Sequence, residues 1–277
     1  MLSTLPNLLR RRDLIRQLTV SELKRRRQES SLGWVWWLVD PLVMMVIYWV
    51  VVAGILGRGK ERYAPYPVFI LCALITWKHF ASTVQQSTKI LRQHEGLIKS
   101  IPFPTMALPV SRVLSGIVFF ACGFVVLFVS TLVVPNAQHT GARLPLVQVP
   151  VLMLAQTCVV TGAALAVSCL GVVLRDLPNT LSHVLRIGFY MSPGLYGVDM
   201  VREKLTEVWG ADAAGLAVHA YLLNPFAVLI SGYRHAIFYG TFMPATWWLL
   251  LVGQAAAAMA LGYLVFQHHD RRVIKFI

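Results

Sequence analysis

Residues 113–138 read VLSGIVFFACGFVVLFVSTLVVPNAQ, and residues 144–174 read LPLVQVPVLMLAQTCVVTGAALAVSCLGVVL; neither stretch holds a charged side chain. Each is longer than the ~20 apolar residues that cross a bilayer as a helix. These two runs decide the class of the protein, and the rest of the chain agrees. Over 277 residues, 57% are hydrophobic and only 13% charged, about half the charge of an ordinary soluble domain. Mean hydropathy is +0.63. So little polar surface cannot cover a water-soluble globule, which excludes a soluble enzyme and a disordered binder.

Working outward, spans are predicted at about 34–57, 67–87, 110–134, 147–174, 179–198 and 245–267. The second holds Lys78 and His79, and the fifth holds His183 and Arg186. The stretch 213–233 is also uncharged, but Asn224-Pro225 interrupts it. Proline removes a backbone donor and disfavours helix at the residue before it. Two short helices result, and we read 213–240 as a re-entrant hairpin at the outer face. Such a hairpin is tolerated at membrane depth only against protein or a water-filled cavity.

Residues 1–33 are polar and basic. Leu8, Leu14, Ile15 and Leu18 cluster on one side of a helical wheel, while Arg10, Arg11, Arg12, Arg16 and the run 24–27 supply charge, which predicts an amphipathic helix at the cytoplasmic membrane surface. Of the 25 Lys and Arg residues, sixteen then fall in inner segments, seven in outer segments, and Lys78 and Arg186 within spans. That bias places both termini inside. The fold class is thus an all-α integral membrane protein of two parts. Residues 1–33 form the interface helix. Residues 34–277 form a six-span domain with the re-entrant hairpin before its last span. The net charge of +13 sits in short segments beside apolar runs, so it points to lipid headgroups and a cytoplasmic partner, with no nucleic acid.

Signatures of chemistry fail one by one. Gly54 to Glu61 approaches a phosphate loop, but lacks the final Ser or Thr and closes a span. Ser21-x-x-Lys24 lies on the basic helix without partner motifs. His268 and His269 are adjacent and so face apart. The four cysteines, Cys72, Cys122, Cys158 and Cys169, all fall in apolar runs and read as small buried hydrophobes. No catalytic role, cofactor or metal is assigned to this chain, so any energy must come from elsewhere.

Several constellations remain. Leu32-Gly33-Trp34-Val35-Trp36-Trp37 with Pro41 opens the first span, and Asp40 one turn in requires a cation or water. Residues 88–109 form a structured inner loop that ends in Ile101-Pro102-Phe103-Pro104. Arg175-Asp176 makes a short inner turn before Arg186, Phe189, Tyr190, Pro193-Gly194 and Tyr196. Pro193-Gly194 breaks that helix near the outer side.

Taken in order, these motifs resemble the membrane subunit of ABC-2 type polysaccharide exporters, the O-antigen, capsule and teichoic acid permeases. They are the basic helix, Leu32-Gly33 with its tryptophans and Pro41, the proline-bearing loop, Arg175-Asp176, Phe189-Tyr190-x-x-Pro193-x-x-Tyr196, Asn224-Pro225 and the basic C-terminus. Arg26 matches that family's arginine before Leu-Gly, although Arg27 follows where an aromatic residue is frequent, and Asp40 stands where the family is apolar or aromatic.

The resemblance implies a homodimer in the bacterial inner membrane, paired with two separate ATPase subunits that hold ATP and magnesium. The substrate would be a lipid-linked glycan in an aromatic-lined channel. On this reading Trp34, Trp36, Phe189, Tyr190 and Tyr196 line the pathway, with Arg186 beside the carrier phosphate. Lys24, Arg25, Arg26, Arg92 and Lys99 meet the ATPase, and Pro193, Asn224 and Pro225 form the outer gate. The competing functions are an ABC-2 permease for a drug or small lipid, a membrane transferase acting on lipid-linked sugars, and a secondary transporter.

Overall fold

A computed structural model describes residues 12–28, 35–55, 57, 62–100, 104–133 and 144–276. It is all-helical, with no strand among the described residues. Helix α1 spans Arg12–Gln28. Helix α2 (Trp36–Tyr48) runs on as a π-helical segment, Trp49–Ile55, and carries Pro41 inside it. Helix α3 is Tyr66–Ser87, followed by the short α4 (Ile90–Gln93) and α5 (Glu95–Ser100). Helix α6 is Ala107–Val133, and α7 is Gln148–Val173 after a 3-10 turn. Helix α8 is Leu177–Met191, α9 Val198–Trp209 and α10 Ala211–Leu222. Helix α11 (Pro225–Tyr233) ends in a π-helical turn, Arg234–Phe238, and α12 is Ala245–Phe276.

Four helical stretches are long and apolar enough to cross a bilayer: Tyr66–Ser87, Ala107–Thr131, Leu144–Val173 and Ala245–His269. They answer to the second, third, fourth and sixth expected spans. At 1.5 Å per residue, the 22 residues of α3 reach about 33 Å, against a hydrocarbon core of ~30 Å. The fifth expected span, 179–198, is shorter in the structure. Helix α8 has 15 residues and stops at Ser192-Pro193, where proline cannot continue it. The first expected span is a short apolar helix with a π-helical end. Helices α10 and α11 meet at 88°, so the chain does break at Asn224-Pro225. Proline at the first helical position restarts it, and the Asn224 carboxamide oxygen caps α11 by accepting from the Phe226 amide at 3.0 Å.

Packing follows side-chain size. Helices α7 and α12 cross where Gly162 and Gly262 remove their side chains. A Cβ on Gly162 would stand 2.1 Å from the Ala258 carbonyl oxygen, and one on Gly262 would stand 2.0 Å from the Gly162 carbonyl oxygen. Membrane helices associate through close backbone contact of this kind. Gln148 clamps the same pair at one end, donating to the Thr241 carbonyl and accepting from the Met243 amide at 2.8 Å. The main core joins α3, α6, α7 and α11 through Phe69, Ile70, Leu71, Phe120, Leu152 and Tyr233. Outward faces stay apolar, with Val125 on α6, Leu154 on α7 and Leu249 and Leu261 on α12 exposed, as lipid contact requires.

A second core sits at the end of the bundle that bears α1. Leu14, Ile15 and Leu18 pack there against Ile90, Leu91, Met106, Leu108, Val172 and Phe266. The apolar face of the amphipathic helix is therefore covered by protein, where the sequence placed lipid. Leu8 lies outside the described residues. Arg112, counted from sequence as a loop charge, is 2% exposed within α6.

Candidate functional site

Helix α8 presents two faces. Leu185 and Phe189 are buried, while Asn179, His183, Arg186 and Tyr190 are exposed. At 100° per residue these four fall within about 60° of one another, and they extend for about 16 Å along the helix. They form a polar stripe along one side of the helix. Arg186 makes no hydrogen bond or ion pair among the described residues. Neither Asp40 nor Asp176 pairs with it. Asp40 instead binds Lys78 Nζ at 2.7 Å, which supplies the cation its position required.

Helix α2 runs beside the stripe. The hydroxyls of Tyr48 and Tyr190 lie 3.3 Å apart, and α2 with its π-helical end exposes Trp36, Val43, Ile47 and Val50. Trp36 and Tyr190 thus stand on open surface, each about half exposed. Phe189 does not. It is 7% exposed and packs on Trp77 and Tyr48, with ring centroids 6.0 and 6.1 Å apart. Its ring serves the core of this chain. Trp34 lies outside the described residues.

The far end of α8 is a knot of hydrogen bonds. The Asn224 amide donates to Ser192 Oγ at 2.9 Å, so the breaks at Pro193 and at Asn224-Pro225 meet in space. The sequence grouped these three residues without a contact between them. Arg234 closes the knot. It is 1% exposed and donates to the carbonyls of Phe69 (3.2 Å), Tyr196 (2.9 Å) and Gly194 (2.7 Å). Its guanidinium also lies 3.5 Å from the centre of the Phe69 ring, within cation–π range. Tyr66 donates to the Leu195 carbonyl at 2.8 Å, and Tyr196 to the Tyr190 carbonyl at 2.9 Å. Tyr63 donates to Asp199 at 2.9 Å and accepts from the Gly197 amide at 3.2 Å. Burial and then the Asp199 carboxylate push the Tyr63 phenol well above its ordinary range. Arg62 joins Asp199 and Glu203 on the exposed rim, and its bond to Glu203 is the main reason its guanidinium is held more firmly protonated.

Sequence reasoning missed Arg234, counting it as an outer loop charge. The available signal was its place directly after a 21-residue uncharged run, 213–233. A cavity of about 640 Å³ lies beside the knot and is lined by Asp199, Glu203, Arg234, His235 and Trp247, among others. It does not touch the α8 stripe.

The expected coupling residues divide. Lys24 is exposed on α1. Arg25 donates to Glu22 at 3.0 Å, and Lys99 pairs with Glu95 at 2.6 Å. Arg92 donates to the Val172 carbonyl at 2.7 Å and so caps the end of α7. The Arg26 side chain lies outside the described residues.

The molecule thus combines apolar-faced helices long enough to cross a bilayer, a polar stripe on α8 and a broken helix pair tied to its end. A family model, ABC-2 type transporter, matches residues 13–238. The chain belongs to the ABC-2 type transporter family. This ABC-2 chain is 27% identical over 232 residues to the O-antigen export system permease protein RfbA of Klebsiella pneumoniae, covering 83% of this chain and 82% of the relative. It is 26% identical over 233 residues to the protein of the same name from Myxococcus xanthus, covering 84% and 83%. The polysialic acid transport protein KpsM of Escherichia coli is 21% identical over 218 residues, covering 78% of this chain and 81% of that one.

Proposed function

We propose that this chain is the permease subunit of an ATP-driven exporter. It moves a lipid-linked polysaccharide, of O-antigen, capsule or teichoic acid type, across the bacterial inner membrane. Two copies enclose the channel, and two separate ATPase subunits dock at the end bearing α1 and supply the energy. Each copy crosses six times with both termini in the cytoplasm. Helices α2 and α8 are its first and fifth crossings, and α10–α11 re-enter from outside.

The observation that carries this reading is the α8 stripe. An arginine facing lipid at mid-membrane costs about 3 kcal/mol, and Asn179, His183, Arg186 and Tyr190 share one exposed face. That face turns toward water or a second copy. A glycan suits it, because hydroxyls and amides exchange hydrogen bonds with sugars, phenol rings hold sugar faces weakly, and a guanidinium meets a phosphate. The names of the polysaccharide-exporting relatives point the same way.

The test is substitution in a strain that depends on this permease. Tyr190→Ala lowers surface glycan at unchanged permease abundance. Arg186→Gln weakens the stimulation of ATP hydrolysis by lipid-linked glycan. Unchanged export together with lowered thermal stability would assign both residues to packing and remove the channel wall.

A further inference from the structure

Beneath α1 lies a buried ion pair that nothing in the export pathway uses. Arg112 of α6 donates to the carboxylate of Glu22 on α1, and the two are 2% and 5% exposed. The same Arg112 nitrogen donates to Gln86 Oε1 of α3 at 3.1 Å. Arg25 reaches Glu22 from the helix's outer side at 3.0 Å. Three elements thus meet at one guanidinium.

Holding α1 in place does not require this pair. Leu14, Ile15 and Leu18 already seat the helix on an apolar cluster. A buried ion pair gains little over apolar residues of similar size, because desolvation offsets its attraction. What it supplies is direction and register. Apolar contacts let a helix slide or roll, whereas a guanidinium held by a carboxylate and an amide resists both. The arms of this pair lead on. From Gln86, α3 runs back about 14 Å to Trp77, through Phe80. Those rings sit 5.0 and 4.3 Å from Phe226, directly after the Asn224-Pro225 break, and Trp77 also contacts Phe189 of α8.

We propose that Glu22, Arg112 and Gln86 form the joint through which movement of α1 enters the membrane helices. They are positioning residues for energy coupling and do not touch the transported molecule. The proposal rests on the reading that the ATPase docks at this end.

The experiment uses the full permease co-expressed with its ATPase subunit. Four readings are taken: permease abundance, co-purification of the ATPase, basal ATP hydrolysis, and surface glycan exported per ATP hydrolysed. Replacing the pair with apolar residues, Glu22→Leu with Arg112→Met, keeps the seat and removes the direction. Abundance, co-purification and basal hydrolysis stay at the parent level, while glycan per ATP falls at least about fivefold, the lower end of ordinary coupling energies. The exchanged pair, Glu22→Arg with Arg112→Glu, recovers part of that loss. Gln86→Leu cuts only the α3 arm and gives a smaller fall. It also serves as the test if the apolar pair does not accumulate. Parent-level coupling in the apolar pair, or in Gln86→Leu where that pair is absent, overturns the joint. So does loss of ATPase co-purification, which would make the pair part of the docking surface. A parent complex that puts no glycan on the cell surface would instead overturn the export reading itself.

Discussion

Replacing Arg234 with methionine keeps an apolar stem and removes the guanidinium. Two carbonyls outside any helix, those of Tyr196 and Gly194, lose their donor, while that of Phe69 keeps the bond of its own helix. Leaving a buried acceptor unsatisfied costs about 1–3 kcal/mol, so the gross loss is roughly 2–6 kcal/mol. Two effects offset it. The variant no longer buries a cation, which is worth several kcal/mol. Water from the adjoining cavity of about 640 Å³, which Arg234 lines, can also reach part of the site. The net destabilisation is about 1–3 kcal/mol, corresponding to a fall in melting temperature on the order of 3–10 °C. The assay is heating of the detergent-purified permease, followed by fluorescence-detected size exclusion. Arg234→Lys separates charge from geometry. An ammonium keeps the charge but lacks the planar fork that spans carbonyls from two segments, so it melts between parent and methionine variant. A methionine variant that melts within about 1 °C of the parent would refute the reasoning, since the knot would then be held by its other bonds.

Two further outcomes test the helix packing and the threading. Gly162→Ala drives a Cβ to 2.1 Å from the Ala258 carbonyl oxygen, forcing α7 and α12 apart at about 1–3 kcal/mol or more, visible as lower abundance and melting temperature. Gly253→Ala, with nothing within 4 Å of its Cβ, is the control and loses nothing. For threading, single cysteines are placed in a cysteine-free background and treated with an impermeant thiol reagent on intact spheroplasts. One at Glu207 reacts, and those at Lys99 and Arg272 do not. Labelling at Arg272 would reverse the six-crossing order.

Much of the architecture was legible in the residues. Membrane helices announce themselves because lipid forbids polar interruptions over ~20 residues, and the uncharged runs 113–138 and 144–174 carry that signal outright. The break at Asn224-Pro225 was equally plain, because proline acts on its own backbone. Weaker elements were misjudged in extent. Residues 179–198 read as a crossing, yet the helix closes at Met191; the expected break at Pro193-Gly194 is there, and the residues beyond it join the knot.

What the sequence determined by itself was the class of the protein, the break at Asn224-Pro225, and the need of Asp40 for a cation. These are local properties, set by chain chemistry within a few residues. Tertiary structure alone decided which charge is buried. Arg112 and Arg234 both stand at the edge of an apolar run, where a solvated loop charge and a core guanidinium look the same. Only the folding of α1 onto α6, and of α11 onto the end of α8, brings Glu22 to one and three carbonyls to the other. It also separated Phe189 from Tyr190. Neighbours on a helix point 100° apart, and the approach of Trp77 from α3 turned one ring into the core and left the other on the open face. The partners that satisfy a buried charge come from distant parts of the chain, so their meeting is a property of the packed molecule.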